Sequence, residues 1–234
     1  MSEAAPGFLD PVTYVSPARA RLAEVTRDLI DAVMTSADVA DSDLEAVADR
    51  VEAATAALVG TRASRTDGLG FAARSHGDYL PRSPVVGAAS PLAPGTIEWE
   101  VVDDVEHPGR FRCIARGIMT AAYEGPPTYV HGGMLALAFD EVLGIANIAN
   151  GNPGMTGSLN IRYRRPTPLF KPLRWEAWIE RVEGRRVHSK AQVWHEDTLC
   201  CEAEGLFIQP SEELRQQYFA AVMEARGDGE APSA

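Results

Sequence analysis

Gly132-Gly133-Met134-Leu135-Ala136-Leu137-Ala138-Phe139-Asp140-Glu141-Val142-Leu143-Gly144-Ile145-Ala146-Asn147 is apolar nearly all the way round a helical projection. A helix without a broad polar face is buried on most sides, so residues 134–147 read as the centre of a core. The stretch is shorter than the roughly 20 apolar residues that a bilayer span needs and is interrupted by Asp140, Glu141 and Asn147. No membrane span is expected from it.

Working outward, the flanking sequence has a period of two. Residues 96–102 and 110–117 are short β-like runs separated by the turn-prone Glu106-His107-Pro108-Gly109. After the helix come four more candidate strands, 156–165, 173–182, 186–195 and 199–208, with hairpin turns at Glu183-Gly184-Arg185 and at His195-Glu196-Asp197-Thr198. Leu159, Ile161 and Tyr163 alternate with Asn160, Arg162 and Arg164, which predicts one buried and one polar sheet face. The fold class that accommodates all of this is α+β, an antiparallel sheet wrapped around one buried helix. Residues 211–225 are expected to add a helix with Glu212 and Glu213 at its positive end, followed by a small, polar, disordered tail.

The N-terminal quarter is different. Residues 1–60 hold 11 acids and 4 bases, a net of −7, whereas the other residues hold 22 acids and 18 bases, a net of −4. Ser16-Pro17 is an N-cap with proline at the first helical position, and Leu22, Val25, Leu29 and Val33 follow on one stripe. Ser42 with Glu45 forms a capping box ahead of Leu44, Val47, Val51, Ala54 and Leu58. Two helices, 17–34 and from Ser42 to about Gly60, are predicted as an amphipathic cap lying on the core. Their polar faces are acidic, the wrong sign for an anionic lipid surface. The organisation expected is therefore 1–60 accessory helices, 61–92 a Pro/Gly-rich connection or strap, 93–210 the sheet-and-helix domain and 211–234 a C-terminal helix and tail.

With 234 residues, 45% hydrophobic and 24% charged, the chain is long enough for a substantial core. The excess of 33 acids over 22 bases, a formal charge of −11, repels phosphate backbones and argues against nucleic acid as a partner. Cys113, Cys200 and Cys201 cannot make a disulfide framework and show no metal-ligand spacing, so they are expected as small buried hydrophobes, and no metal is expected. The first twenty residues lack a basic start leading into an apolar run; the expectation is no secretory signal and a cytoplasmic protein.

The chemistry-bearing feature is the start of the central helix. Gly132 and Gly133 have no side chains, so a ligand can approach the unpaired N–H groups and positive dipole end of a helix N-terminus. Asp140 lies two turns beyond Gly133 on about the same face, and a carboxylate on an apolar helix needs a partner or a task. Glu141, some 100° further round, is the weaker candidate. A structural reading, in which His131 is simply hydrogen-bonded and Asp140 caps or pairs with Arg162, Arg164 or Arg165, stands at even weight on these residues alone.

His131-Gly132-Gly133, six residues, Asp140, and then Met155-Thr156-Gly157-Ser158-Leu159-Asn160-Ile161-Arg162-Tyr163-Arg164-Arg165-Pro166 resembles the hotdog-fold acyl-CoA thioesterases of the phenylacetate-degradation (PaaI-like) branch. The resemblance covers residues 93–209. It implies a dimer or dimer of dimers with sites at the subunit interface and an acyl-CoA substrate. Asp140 would be the catalytic carboxylate, acting as base or nucleophile, and Gly132 the oxyanion-hole N–H, with Gly133 beside it. His131 would orient the thioester carbonyl, and Thr156 would stand near the attacking water. Asp140 would face His131 and Gly132 of a second subunit. Some phenylacetyl-CoA enzymes carry Asn six residues before the histidine, where this chain has Gly125. A thioester is electrophilic and its thiolate leaves readily, so a carboxylate and an oxyanion hole suffice without a cofactor. Arg164, Arg165 and Lys171, with Arg185 and Arg186, are candidates for the coenzyme A phosphates. Two rivals stay open: a hotdog dehydratase, whose motif is not matched, and a non-catalytic acyl-CoA-binding or interaction protein using the same groove.

Overall fold

The structure, a computed structural model, describes residues 15–59, 83–94, 97–214 and 216. Two helices come first, α1 (Pro17–Thr35) and α2 (Asp41–Val59). The strands β1 (Glu98–Asp103) and β2 (Phe111–Ile118) lead through a 3-10 turn at Ala121–Tyr123 into α3 (Gly132–Ala149). Then follow β3 (Met155–Tyr163), β4 (Pro172–Glu183), β5 (Arg186–His195) and β6 (Thr198–Ile208). All six strands join one antiparallel sheet in the order β1-β2-β4-β5-β6-β3, which leaves β1 and β3 as its edges.

The sheet curves around α3, which packs chiefly on β2, β4 and β5. Strict alternation makes this possible. Leu173, Trp175, Ala177 and Ile179 of β4 and Val187, Ala191 and Val193 of β5 all point inward onto Phe139, Leu143, Ile145 and Ala146 of the helix. Burying each large apolar side chain is worth about 1.5–3 kcal/mol, so this one contact surface dominates the stability of the domain. Gly205 on β6 lets the helix come close: a Cβ there would lie 2.6 Å from Phe207 and 3.1 Å from Leu143. The polar Asn147 is buried at the same interface, where it accepts the Ser189 hydroxyl at 2.5 Å. α3 is long and apolar enough to cross a membrane, but it serves here as the core helix of the sheet.

At the β1–β2 turn Asp104 is buried and receives the Glu106 N–H, the His107 ring and Arg112 at 3.0–3.1 Å. Burial pushes its carboxyl upward, but these partners outweigh it and hold it below the ordinary range. All three cysteines are free and buried.

Three expectations are corrected. Ser42 is not an N-cap, because α2 begins one residue earlier at Asp41. The helical pair does not lie on the core as a whole: α1 touches the 3-10 turn and buries Ala23, but the described side chains of α2 are all exposed. Its apolar stripe finds no surface among the described residues. β3 does not bury a full face either, since an edge strand paired only with β6 leaves Leu159 and Ile161 half-buried and Tyr163 exposed. Of the expected C-terminal helix, residues 212–214 are helical, and nearly all of the rest lies outside the described residues.

Candidate active site

His131 is the N-cap of α3, in extended backbone conformation, and its Nδ1 accepts the Gly133 N–H at 2.9 Å. Acceptance at Nδ1 leaves the proton of a neutral ring on Nε2, so the exposed side of the imidazole is a donor. The backbone is equally fixed: the His131 N–H donates to Tyr123 at 2.8 Å, and the Val130 N–H to Thr167 at 2.9 Å. Gly125 packs so tightly on this turn that a Cβ would sit 2.7 Å from the His131 Cα. That is the position at which some phenylacetyl-CoA enzymes have Asn; here any side chain would force the loop to shift.

The two glycines differ in what they offer. Gly133 gives its N–H to His131 Nδ1. Gly132 opens the helix, and its N–H has no intrahelical acceptor. Its carbonyl accepts the Tyr163 hydroxyl at 2.9 Å, tying the far end of β3 to the helix start.

Asp140 is partly exposed on α3, and Thr156 donates its hydroxyl to Asp140 Oδ1 at 2.6 Å. A β-bulge creates this contact. The register of β3 on β6 shifts between Thr156 and Ser158, so that Thr156 pairs with the inward Phe207 while Leu159 still pairs with the inward Gly205. If Gly157 were paired as a regular strand residue instead of bulging, simple alternation would turn Thr156 to the polar face with Asn160.

Asp140 lies nine positions beyond His131, which at 1.5 Å per residue is about 13 Å along the helix. The Gly132 N–H and the Asp140 carboxylate of one chain therefore stand about two turns apart along α3.

Glu141, rated the weaker candidate in sequence, is the more buried of the two carboxyls. Burial raises it to about 6, against a lowering contribution from the Ser83 hydroxyl and a further rise from the Asp140 charge. Among the expected phosphate ligands, Arg164 is engaged by Glu202 at 2.5 Å, with Arg162 at 3.5 Å from the same carboxylate. Arg165 and Lys171 are exposed and carry no ion pair among the described residues. An open groove of about 600 Å³ runs past Arg162, Tyr163, Arg164, Arg165, Asp197 and Thr198.

A family profile described as the thioesterase superfamily matches residues 128–202, the span that contains His131, Gly132, Asp140 and Thr156. Residues 128–202 are a thioesterase-superfamily domain. Acyl-coenzyme A thioesterase THEM4 of Mus musculus is 38% identical to the chain over 88 residues, 37% of this chain and 38% of that protein. THEM4 of Xenopus laevis is 34% identical over 88 residues, 37% and 40% of the two chains. The match thus spans about two-fifths of the length of these curated relatives. A crystal structure of a thioesterase superfamily protein superposes with a TM-score of 0.69 at 29% identity, over 86% of this chain and 94% of that one. The thioesterase domain has the hotdog arrangement, an α+β fold with its long helix inside the sheet, and the helical N-terminal part stands outside the 128–202 match.

Proposed function

We propose that the protein hydrolyses acyl-CoA thioesters to a free acid and coenzyme A, in sites assembled from two copies of the chain. The observation that carries this reading is the Asp140 carboxylate held by Thr156. Oδ1 is occupied by the hydroxyl, and Oδ2 has no donor among the described residues, so Oδ2 can take a proton from water. The activated water adds to the thioester carbonyl carbon. The developing oxyanion is received by the Gly132 N–H and the His131 Nε2–H, donors already aimed by the helix start. Collapse breaks the C–S bond, and the proton on Asp140 passes to the leaving thiolate.

The separation of about 13 Å along α3 requires Asp140 of one copy to work with the helix start of another. Support for pairing comes from β3, an edge of the sheet among the described residues, which exposes Met155 and Tyr163. An unpaired edge beside apolar surface favours a second chain. Arg165 and Lys171, without ion pairs among the described residues, are the cations assigned here to the phosphates of coenzyme A; Arg164, held by Glu202, shapes the groove. The test is free-thiol release from a panel of acyl-CoAs together with sedimentation. Turnover by a dimer or larger assembly is expected. Saturable acyl-CoA binding without thiol release, or full activity in a stable monomer, would refute the reading.

A further inference from the structure

One peptide unit at the start of α3 is gripped at both ends by side chains. Its oxygen, the Gly132 carbonyl, accepts the Tyr163 hydroxyl at 2.9 Å, and its N–H, on Gly133, donates to His131 Nδ1 at 2.9 Å. Tyr163 comes this close because Gly132 has no side chain: a Cβ there would lie 3.3 Å from the hydroxyl oxygen and 3.4 Å from the ring. α3 does not need the bond in order to form, since a carbonyl in the first turn of a helix already accepts the N–H four residues on, and the hydroxyl takes its second lone pair. Tyr163 reaches the helix from β3, where it pairs with Cys201 and shares the inward parity of Leu159 and Ile161. It remains 53% exposed, so apolar burial accounts for little of its placement.

The grip has a direction. A hydroxyl that donates to a carbonyl polarises the peptide and makes its N–H a stronger donor, and hydrogen bonds in such a chain strengthen one another. Here the bonds run from the Tyr163 hydroxyl through the 132–133 peptide to His131 Nδ1, and so bear on the ring whose exposed Nε2–H is the donor. We infer that Tyr163 is a positioning residue: through that peptide it locks the rotamer and tautomer of His131, the group assigned to the thioester oxyanion. No proton moves along the chain of bonds, and Tyr163 touches no reacting atom. Its ring also walls the open groove beside Arg165 and Thr198, so direct contact with substrate is the rival that the test must exclude. The catalytic part of the inference rests on the thioesterase reading; the link from Tyr163 to His131 does not.

The test uses the full-length chain with Tyr163→Phe, which removes the hydroxyl and keeps the ring, with His131→Ala, and with the double variant. Gly133 amide exchange and the ring-nitrogen NMR shifts of His131 are read on the parent and on Tyr163→Phe; melting temperature and steady-state acyl-CoA hydrolysis are read on all four proteins. Tyr163→Phe should speed Gly133 exchange about fivefold and lower kcat about fivefold with KM within about twofold, the scale of one neutral hydrogen bond. The His131 ring should lose part of its Nε2–H tautomer, and the melting temperature should stay at the parental value. In the His131→Ala background the same substitution should cost no further kcat. Unchanged exchange and ring shifts in Tyr163→Phe, or the same kcat loss in the His131→Ala background, would overturn the link. A raised KM at parental kcat would make Tyr163 a substrate-contacting wall of the groove, and a lowered melting temperature at parental kcat would make it structural; either result overturns the inference. Faster exchange and a changed tautomer in a chain whose parent shows no acyl-CoA turnover would instead refute the thioesterase reading and leave the link standing.

Discussion

Thr156 donates to Asp140 at 2.6 Å across the gap between the β3 edge and the core helix. The bond orients a partly exposed carboxylate and leaves one oxygen free for water. A hydrogen bond to a charged group is worth about 1.5–3 kcal/mol, so Thr156→Val should lower acyl-CoA turnover roughly ten- to hundredfold. The exposed site should keep the melting temperature close to that of the parent, and Thr156→Ser should retain most of the activity. Turnover unchanged in Thr156→Val would remove the hydroxyl from the site.

The bulge gives an independent check on the same contact. Deleting Gly157 removes the bulge but leaves Thr156 opposite Phe207, on the inward face with Leu159 and away from that of Asn160. The expected result is a folded protein whose turnover stays above that of Thr156→Val, read by thiol release and near-UV circular dichroism. Turnover as low as in Thr156→Val would show that inward parity alone does not aim Thr156.

Gly125 should tolerate no side chain. A Cβ would come 2.7 Å from the His131 Cα, and overpacking of this kind costs about 1–3 kcal/mol. Gly125→Ala should lower stability by that amount in urea and reduce turnover by displacing His131 from the helix start. A variant of parental stability and activity would mean that the loop yields freely.

Glu141 supplies a pH dependence with a definite sign. Its folded-state pKa is raised from 4.5 to about 6 by burial, with Asp140 adding to the rise and Ser83 opposing it. The stability it contributes is complete below 4.5 and is lost as pH rises through 6. Glu141→Gln, which cannot ionise, should therefore be more stable than the parent at pH 7.5 by about 2 kcal/mol, and the gap should close by pH 4.5. Urea denaturation at the two pH values measures this; a gap that widens at low pH would reverse the assignment.

Much of this structure is legible from residue type and spacing. The run around Phe139 and Leu143 announces a buried helix, and the β5 strand is recovered at its observed limits of Arg186 and His195 because Val187, Ala191 and Val193 alternate cleanly between two turn signals. Asp140 and Gly132 stand out because a carboxylate and a glycine pair are anomalous on an apolar helix. What escapes a one-dimensional reading depends on neighbours. The parity of Thr156 is set by a bulge, and the partner of the Gly133 N–H by the rotamer of His131. The α2 stripe is amphipathic in sequence, yet its placement depends on a surface that periodicity does not specify.

The most direct measurement is acyl-CoA hydrolysis by Asp140→Asn, with oligomer mass and melting temperature read on the same preparation. The substitution keeps the size of the side chain and its contact with Thr156 but removes the negative charge that takes the proton from water. Turnover should fall at least ~10²-fold, within the range for loss of a general base, while substrate binding, assembly and stability persist. Near-parental turnover by a correctly assembled Asp140→Asn protein would contradict the account.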